Sequence, residues 1–162
     1  MMSIHASQAL LIRRFAVEDA VLLGAWLTAV GLGVPSAVAT ETWANRIITD
    51  PHISCWAAHD RMGRVLGFFR LDTGPDLQSE ITLIVAPGQR RSGIGRRLLD
   101  EALDQARSRG ICKIRAVVNE TNAAALEFFG EAGFSSNGHN TPGNIHLHRF
   151  LHRADRQPPL EI

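Results

Sequence analysis

The sequence predicts an α/β chain of the α+β type: a mixed, mostly antiparallel sheet of about seven strands with helices on both faces. Three observations predict it. Apolar runs with strand or helix character follow one another as strand, two helices, three strands, helix, strand, helix, two strands. The three middle strands are joined by short turns and so meander. Only the connection from the fourth strand to the fifth has the form of a right-handed crossover between parallel neighbours.

Leu10 to Arg14 reads as the first strand. Glu18 and Asp19 open a helical run through Trp26 and Val30, which Gly31 and Gly33 end. Pro35 and Ser36 start a second helix with Ser36 as N-cap, and Val38, Trp43, Ile47 and Ile48 give it an apolar face. Asp50-Pro51 stops it. Ile53 to Ala58 and Val65 to Leu71 are strands around a hairpin turn at Asp60-Arg61-Met62-Gly63. After Thr73-Gly-Pro-Asp76, Glu80 to Val85 is the fourth strand. The helix after Gly95 has Leu98, Leu99, Ala102, Leu103 and Ala106 at helical spacing. Arg107 and Arg109 suit its C-terminus and Gly110 caps it. Ile111 to Val118 is the fifth strand, Asn122 to Glu131 a short helix ended by Gly133, Phe134 the start of a short strand, and Ile145 to Leu151 the last strand.

With 162 residues, the chain is expected to form one domain over 1–152, followed by a loose tail, 153–162, that carries Pro158-Pro159. Hydrophobic residues at 45% and charged residues at 20% fit a soluble globular protein. A net charge of +1 gives no global attraction to nucleic acid or to a membrane. No run is long and apolar enough to span a bilayer, and Met-Met-Ser-Ile-His does not read as a signal peptide. Cys55 and Cys112 sit far apart inside apolar runs, so both read as buried thiols in a reducing compartment, and the expectation is a cytoplasmic protein.

The most informative stretch is Glu80-Ile-Thr-Leu-Ile-Val-Ala-Pro-Gly-Gln-Arg-Arg-Ser-Gly-Ile-Gly95. It reads as a strand, an arginine-bearing glycine turn and a helix N-terminus, where backbone N–H groups and the helix dipole favour a pyrophosphate. A Walker loop is excluded, because Ile94 and Gly95 stand where Lys and Ser/Thr are needed. A Rossmann turn is excluded too, because Leu98 occupies the third glycine position and would hold the helix off the strand.

What remains, Arg90-x-x-Gly93-x-Gly95, resembles the coenzyme A signature of the GNAT acyltransferase superfamily. Leu83-x-Val85-x-Pro87 before it, Val118-x-x-x-Asn122 after it, and Ala125-Leu-Glu-Phe-Phe-Gly-Glu-Ala-Gly-Phe134 extend the likeness. So does Ile12-Arg-Arg14 with Asp19. The resemblance implies a GNAT fold whose fourth and fifth strands are parallel and splay, with the pantetheine of acetyl-CoA in the gap. It implies that the backbone of Leu83, Ile84 and Val85 holds the pantetheine, and that the Val85 N–H polarises the thioester carbonyl. The amides from Arg91 through Ser92, Gly93, Ile94 and Gly95 to Arg96 would hold the pyrophosphate. Arg90, Arg91 and Arg96 are candidate phosphate contacts, and Asn122 and Phe129 line the site. No metal is implied. The implied activity is N-acetylation of a small-molecule or peptide amine by direct attack. Family members are often dimers, which leaves a homodimer open.

An amine must lose a proton to react, and Glu80 is the candidate base. Alternation puts Glu80, Thr82 and Ile84 on one face and Ile81, Leu83 and Val85 on the other. The family's usual tyrosine acid is matched by Phe129, and the chain contains no tyrosine. That departure motivates a second reading, a coenzyme A-binding module with weak or lost catalysis. His146 and His148 share a face of the last strand, with His139 and His152 near; they read as an exposed strand face before an acid–base pair, and not as a metal set. Trp26, Trp43 and Trp56 read as core. The Arg90–Arg97 cluster lacks the aromatic-interleaved basic stripe of a nucleic-acid binder.

Overall fold

Seven strands form one hydrogen-bonded sheet in a computed structural model that describes residues 10–29, 41–89 and 93–151. Their order across the sheet is β1-β2-β3-β4-β5-β7-β6. The strands are β1 (Leu11–Arg14), β2 (Ile53–His59), β3 (Val65–Thr73), β4 (Gln78–Val85), β5 (Lys113–Asn119), β6 (Ser135–Ser136) and β7 (Asn144–Phe150). The helices are α1 (Asp19–Ala29), α2 (Glu41–Thr49), α3 (Ile94–Ser108) and α4 (Ala123–Glu131). The strand pairs β1–β2, β5–β7 and β6–β7 are antiparallel, and β4–β5 is parallel. The expected mixed sheet and its crossover are therefore both present. Val30 to Ser36, Val38 and the expected N-cap of the second helix lie outside the described residues, as does the tail from His152.

The chain packs as two units, Met1–Phe69 with Leu83–Leu99, and Arg70–Thr82 with Asp100–Ile162. In the first unit, adjacent residues of β3 serve opposite faces. Phe68 joins Phe15, Ala20, Leu23, Trp26, Ile47, Cys55, Ala57 and Ala86 in one buried cluster that takes in α1 and α2. Phe15 and Trp26 meet the Phe68 ring at centroid distances of 5.7 and 5.1 Å. On the other face Phe69 stacks on Trp56 at 4.7 Å, and Gly67 lies directly beneath Leu98 and Ile94 of α3. The entry to α1 is fixed by Asp19, whose buried carboxylate takes two bonds from Arg13 (2.8 and 2.9 Å) and one from the Ala16 N–H (2.8 Å). Burial pushes this carboxyl up, but the Arg13 hydrogen bonds, the Ala16 N–H and the Arg13 charge outweigh it and leave it below its ordinary range.

In the second unit the inward residues of β5 are Ile114, Ala116 and Val118, all buried with Leu147 of β7. Phe129 of α4 is buried edge-to-face against Phe128 and Phe134, at 5.2 and 5.1 Å. All five apolar positions predicted for α3 are buried. Two expectations are corrected. Ile48 is 47% exposed and only Ile47 of that pair points inward: the two side chains leave the helix about 100° apart, and the buried stripe of α2 does not extend to Ile48. Cys112 is exposed, because β5 begins at Lys113, two residues after the expected Ile111, and leaves Cys112 in the approach to the strand.

Candidate active site

The join between β4 and α3 is the part of the fold that the motif singled out. Along β4 the burial alternates as expected from Ser79 (buried) through Ile81 (buried) to Thr82 (exposed), and then stops alternating. Leu83, Ile84 and Val85 are all half-buried, and their apolar side chains serve neither a fully packed nor a fully open face. The parallel register with β5 runs over Gln78–Glu80 and Lys113–Arg115, and both strands continue past the last registered pair.

The chain then turns. The Ala86 N–H donates to the Leu66 carbonyl (2.8 Å), which fixes the end of β4 to β3. Pro87 and Gly88 occupy the centre of a turn closed by the Gln89 N–H on the Ala86 carbonyl (3.0 Å), and Gly88 has φ +84. Pro followed by a positive-φ glycine is the residue pattern of a type II turn. Arg90, Arg91 and Ser92 lie outside the described residues. Gly93 has φ +82 and opens α3, whose first internal bond runs from the Arg97 N–H to the Gly93 carbonyl (3.2 Å). The amides of Ile94 and Gly95 therefore precede the hydrogen-bonded ladder, as at any helix start. Ile94 is buried and anchors this end, whereas the Arg96 side chain is exposed.

The helix is seated by a residue that the motif reading missed. A Cβ at Gly67 would come within 2.5 Å of Leu98 Cδ1, 3.0 Å of the Ile84 carbonyl oxygen and 3.7 Å of Ile94 Cγ2. Leu98 packs closely onto β3 because β3 has no side chain there. The close approach that a Rossmann turn obtains from a glycine in the helix comes here from a glycine in the sheet. A glycine inside the apolar run Val65-Leu-Gly-Phe-Phe69 was the available signal.

The other predicted residues are placed as follows. Glu80 is half-exposed and ion-paired with Arg115, the residue opposite it on β5. Asn122 is the N-cap of α4: its side-chain oxygen accepts from the Ala125 N–H at 3.1 Å, which leaves its amide donors for other partners. Phe129 is 8% exposed and packed among phenylalanines. His146 and His148 share the outward face of β7, where His146 Nε2 meets Thr141 Oγ1 at 2.9 Å. Among the described residues no group of three or more His, Cys, Asp or Glu is arranged to hold a metal ion. Trp26 and Trp56 are both buried. No helix of the described residues is long and apolar enough to cross a membrane.

Comparison with known proteins agrees with this geometry. The sequence profile of the acetyltransferase (GNAT) family matches residues 26–134. A mycothiol acetyltransferase of Beutenbergia cavernae is 34% identical over 97 residues, which is 59% of this chain but 31% of that protein. The match thus spans about a third of that relative's length. The PaiA N-acetyltransferase of Thermoplasma acidophilum, solved in complex with coenzyme A, superposes with a TM-score of 0.75 at 19% identity, covering 88% of this chain and 99% of that one. The spermidine N-acetyltransferase of Vibrio cholerae, solved with CoA and spermine, gives 0.78 at 19% identity over 87% and 95% of the two chains. At such identities the structural likeness speaks for the fold.

Proposed function

This chain belongs to the acetyltransferase (GNAT) family, and on that premise we propose that it transfers an acetyl group from acetyl-CoA to a primary amine, of a small molecule or a peptide, within one ternary complex. The observation that carries the reading is the β4–α3 join. A strand end of half-buried apolar residues leads through two positive-φ glycines into a helix N-terminus. Its residues fit coenzyme A in kind. The backbone of Leu83, Ile84 and Val85 offers donors and acceptors to an amide-bearing pantetheine arm. The amides of Gly93, Ile94, Gly95 and Arg96, with Arg90, Arg91 and Ser92, suit the pyrophosphate.

In the reaction the neutral amine nitrogen attacks the thioester carbon. The Val85 N–H donates to the carbonyl oxygen as negative charge gathers there. The carbon–sulfur bond then breaks, and sulfur leaves with the electron pair. The nitrogen's proton passes to Glu80 by way of water. Five residues of strand at ~3.3 Å each put the Glu80 and Val85 Cα atoms about 16 Å apart, too far for direct transfer. Phe129 cannot return a proton to sulfur. A thiol titrating near ~8.5 can leave as its anion or take a proton from water.

Calorimetry with coenzyme A and acetyl-CoA, followed by thiol release over an amine panel, tests this proposal. Binding with turnover supports it, and absence of binding removes it. Binding without turnover on any amine would favour the second reading, a coenzyme A-binding module. Phe129 in place of a tyrosine and an arginine on the candidate base both argue for that reading.

A further inference from the structure

The chain between β6 and β7 opens with Asn137-Gly138, and of the six asparagines in the sequence Asn137 is the one that precedes a glycine. Both residues are exposed and lie outside every helix and strand. Gly138 has φ +83, and nothing lies within 4 Å of a Cβ built on it. Neither a side chain of its own nor a packed neighbour crowds the Cα beside its backbone nitrogen. The other asparagines differ on both counts. Asn45 and Asn144 lie within α2 and β7, Asn119 ends β5 and Asn122 caps α4. All five precede a residue that has a Cβ.

The local hydrogen bonds set an electrophile beside a nucleophile. Asn137 Oδ1 accepts from the His139 N–H at 3.1 Å, which draws electron density from the side-chain carbonyl carbon. The same bond identifies which end of the amide is oxygen. The Gly138 N–H donates to Ser136 Oγ at 3.2 Å, a bond between exposed groups of one loop that opens at small cost. On one side the loop is held by β6, where Ser135 and Ser136 pair with His148 and Leu147. On the other it is held at Asn140, whose Oδ1 accepts from the His146 N–H at 3.1 Å. Asn137 and Gly138 fall between these anchors.

We propose that Asn137 is a site of self-modification, at which its side-chain amide closes on the Gly138 nitrogen to a succinimide that water opens to aspartate or isoaspartate. The inference is independent of the acetyltransferase reading. The Gly138 nitrogen gives its proton to solvent base and attacks Asn137 Cγ. A carbon–nitrogen bond forms there, the bond from Cγ to Nδ2 breaks, and ammonia leaves with a proton from water. Water is the only co-reactant of the second step. Hydrolysis at the side-chain carbonyl gives aspartate in an ordinary backbone. Hydrolysis at the main-chain carbonyl gives isoaspartate, with the backbone routed through Cβ and Cγ. Either product sets a new carboxylate two positions before His139. Isoaspartate also lengthens the backbone by one atom directly after Ser136. Because β6 is a two-residue edge strand with β7 as its partner, its pairing is the first structure that the extra atom disturbs.

The test holds the folded protein and a synthetic peptide of residues 135–141 side by side in mildly alkaline buffer. Digestion and mass spectrometry follow each asparagine, an isoaspartyl methyltransferase labels the isoaspartate, and hydroxylamine cleaves the chain at the succinimide. We expect Asn137 to convert at least about tenfold faster than any other asparagine, and within about tenfold of the rate in the peptide, because the exposed loop gives it little protection. Gly138→Ala should slow it by about tenfold or more, since a Cβ then crowds the nucleophile. Amide exchange at Ser135 and Ser136 should quicken in the isoaspartyl protein. Conversion no faster than at Asn140, a rate below the peptide's by more than that margin, or an unchanged rate in Gly138→Ala overturns the proposal. If the positive φ makes Gly138→Ala misfold, the ranking of the six asparagines and the comparison with the peptide decide.

Discussion

Gly67 of β3 and Leu98 of α3 share a space too small for one more methyl group: a Cβ on the glycine would lie 2.5 Å from Leu98 Cδ1. The Ile84 carbonyl at 3.0 Å closes the other side. Leu98 can rotate away only by leaving a fully buried position. Gly67→Ala is therefore expected to cost about 1–3 kcal/mol of stability, the usual range for overpacking. It should also weaken acetyl-CoA binding, because relief comes from moving α3 or the end of β4. Denaturant melts and calorimetry on the same protein check both effects.

Gly93 gives the opposite kind of test. Nothing lies within 4 Å of a Cβ built there, so any penalty comes from its φ of +82. Gly93→Ala is expected to lose roughly 1–2 kcal/mol through left-handed strain, or to rotate out of it and misdirect the amides that open α3. Affinity for coenzyme A should fall more than the melting temperature does. Equal affinity in the variant would separate this glycine from cofactor binding.

Glu80→Gln tests proton removal. With the base gone, the rate at neutral pH should drop by about 10²–10⁴-fold, while acetyl-CoA binds as before. Stability should change little, since a half-exposed ion pair such as Glu80–Arg115 contributes about 0–1 kcal/mol. Rates that match wild type across the pH range would take Glu80 out of the mechanism.

Asp19→Asn probes the fold rather than the chemistry. The carboxylate accepts three hydrogen bonds, two of them from a guanidinium, so its neutralisation should cost about 1–3 kcal/mol at pH 7. The folded pKa lies below the unfolded one, so this contribution is complete above the unfolded value near ~3.9 and is lost as pH falls through the lower, folded value. The difference between wild type and variant should therefore close on acidification. Chemical melts at neutral pH and at a series of pH values below the unfolded value measure it.

Much of this architecture could be read from the sequence, because it is written in local periods. The five apolar positions of α3 recur at helical spacing, and each one is buried. The hairpin at Asp60–Gly63 has the turn residues its geometry needs, with Gly63 at φ +80 and the Asp60 N–H on the Arg64 carbonyl at 3.0 Å. Features set by partners distant in sequence could not be read. Arg115 lies 35 positions from Glu80, and no spacing rule pairs them. Exposure of Cys112 depends on where β5 begins, which an apolar run does not mark to the residue. Asn122 is a different case: an Asn ahead of Ala123-Ala-Ala-Leu126 carries an ordinary capping signal that is legible in the sequence.

The Trp56–Phe69 stack, with the Arg14 guanidinium 5.1 Å from the indole, has an optical consequence. The chain has three tryptophans and no tyrosine, and Trp26, Trp43 and Trp56 all belong to the first unit. Ultraviolet-excited emission is thus a beacon for that half of the protein and is dark to the other. A melt followed by fluorescence would go blind to any early loosening around Phe129 and β7, which far-ultraviolet dichroism would register.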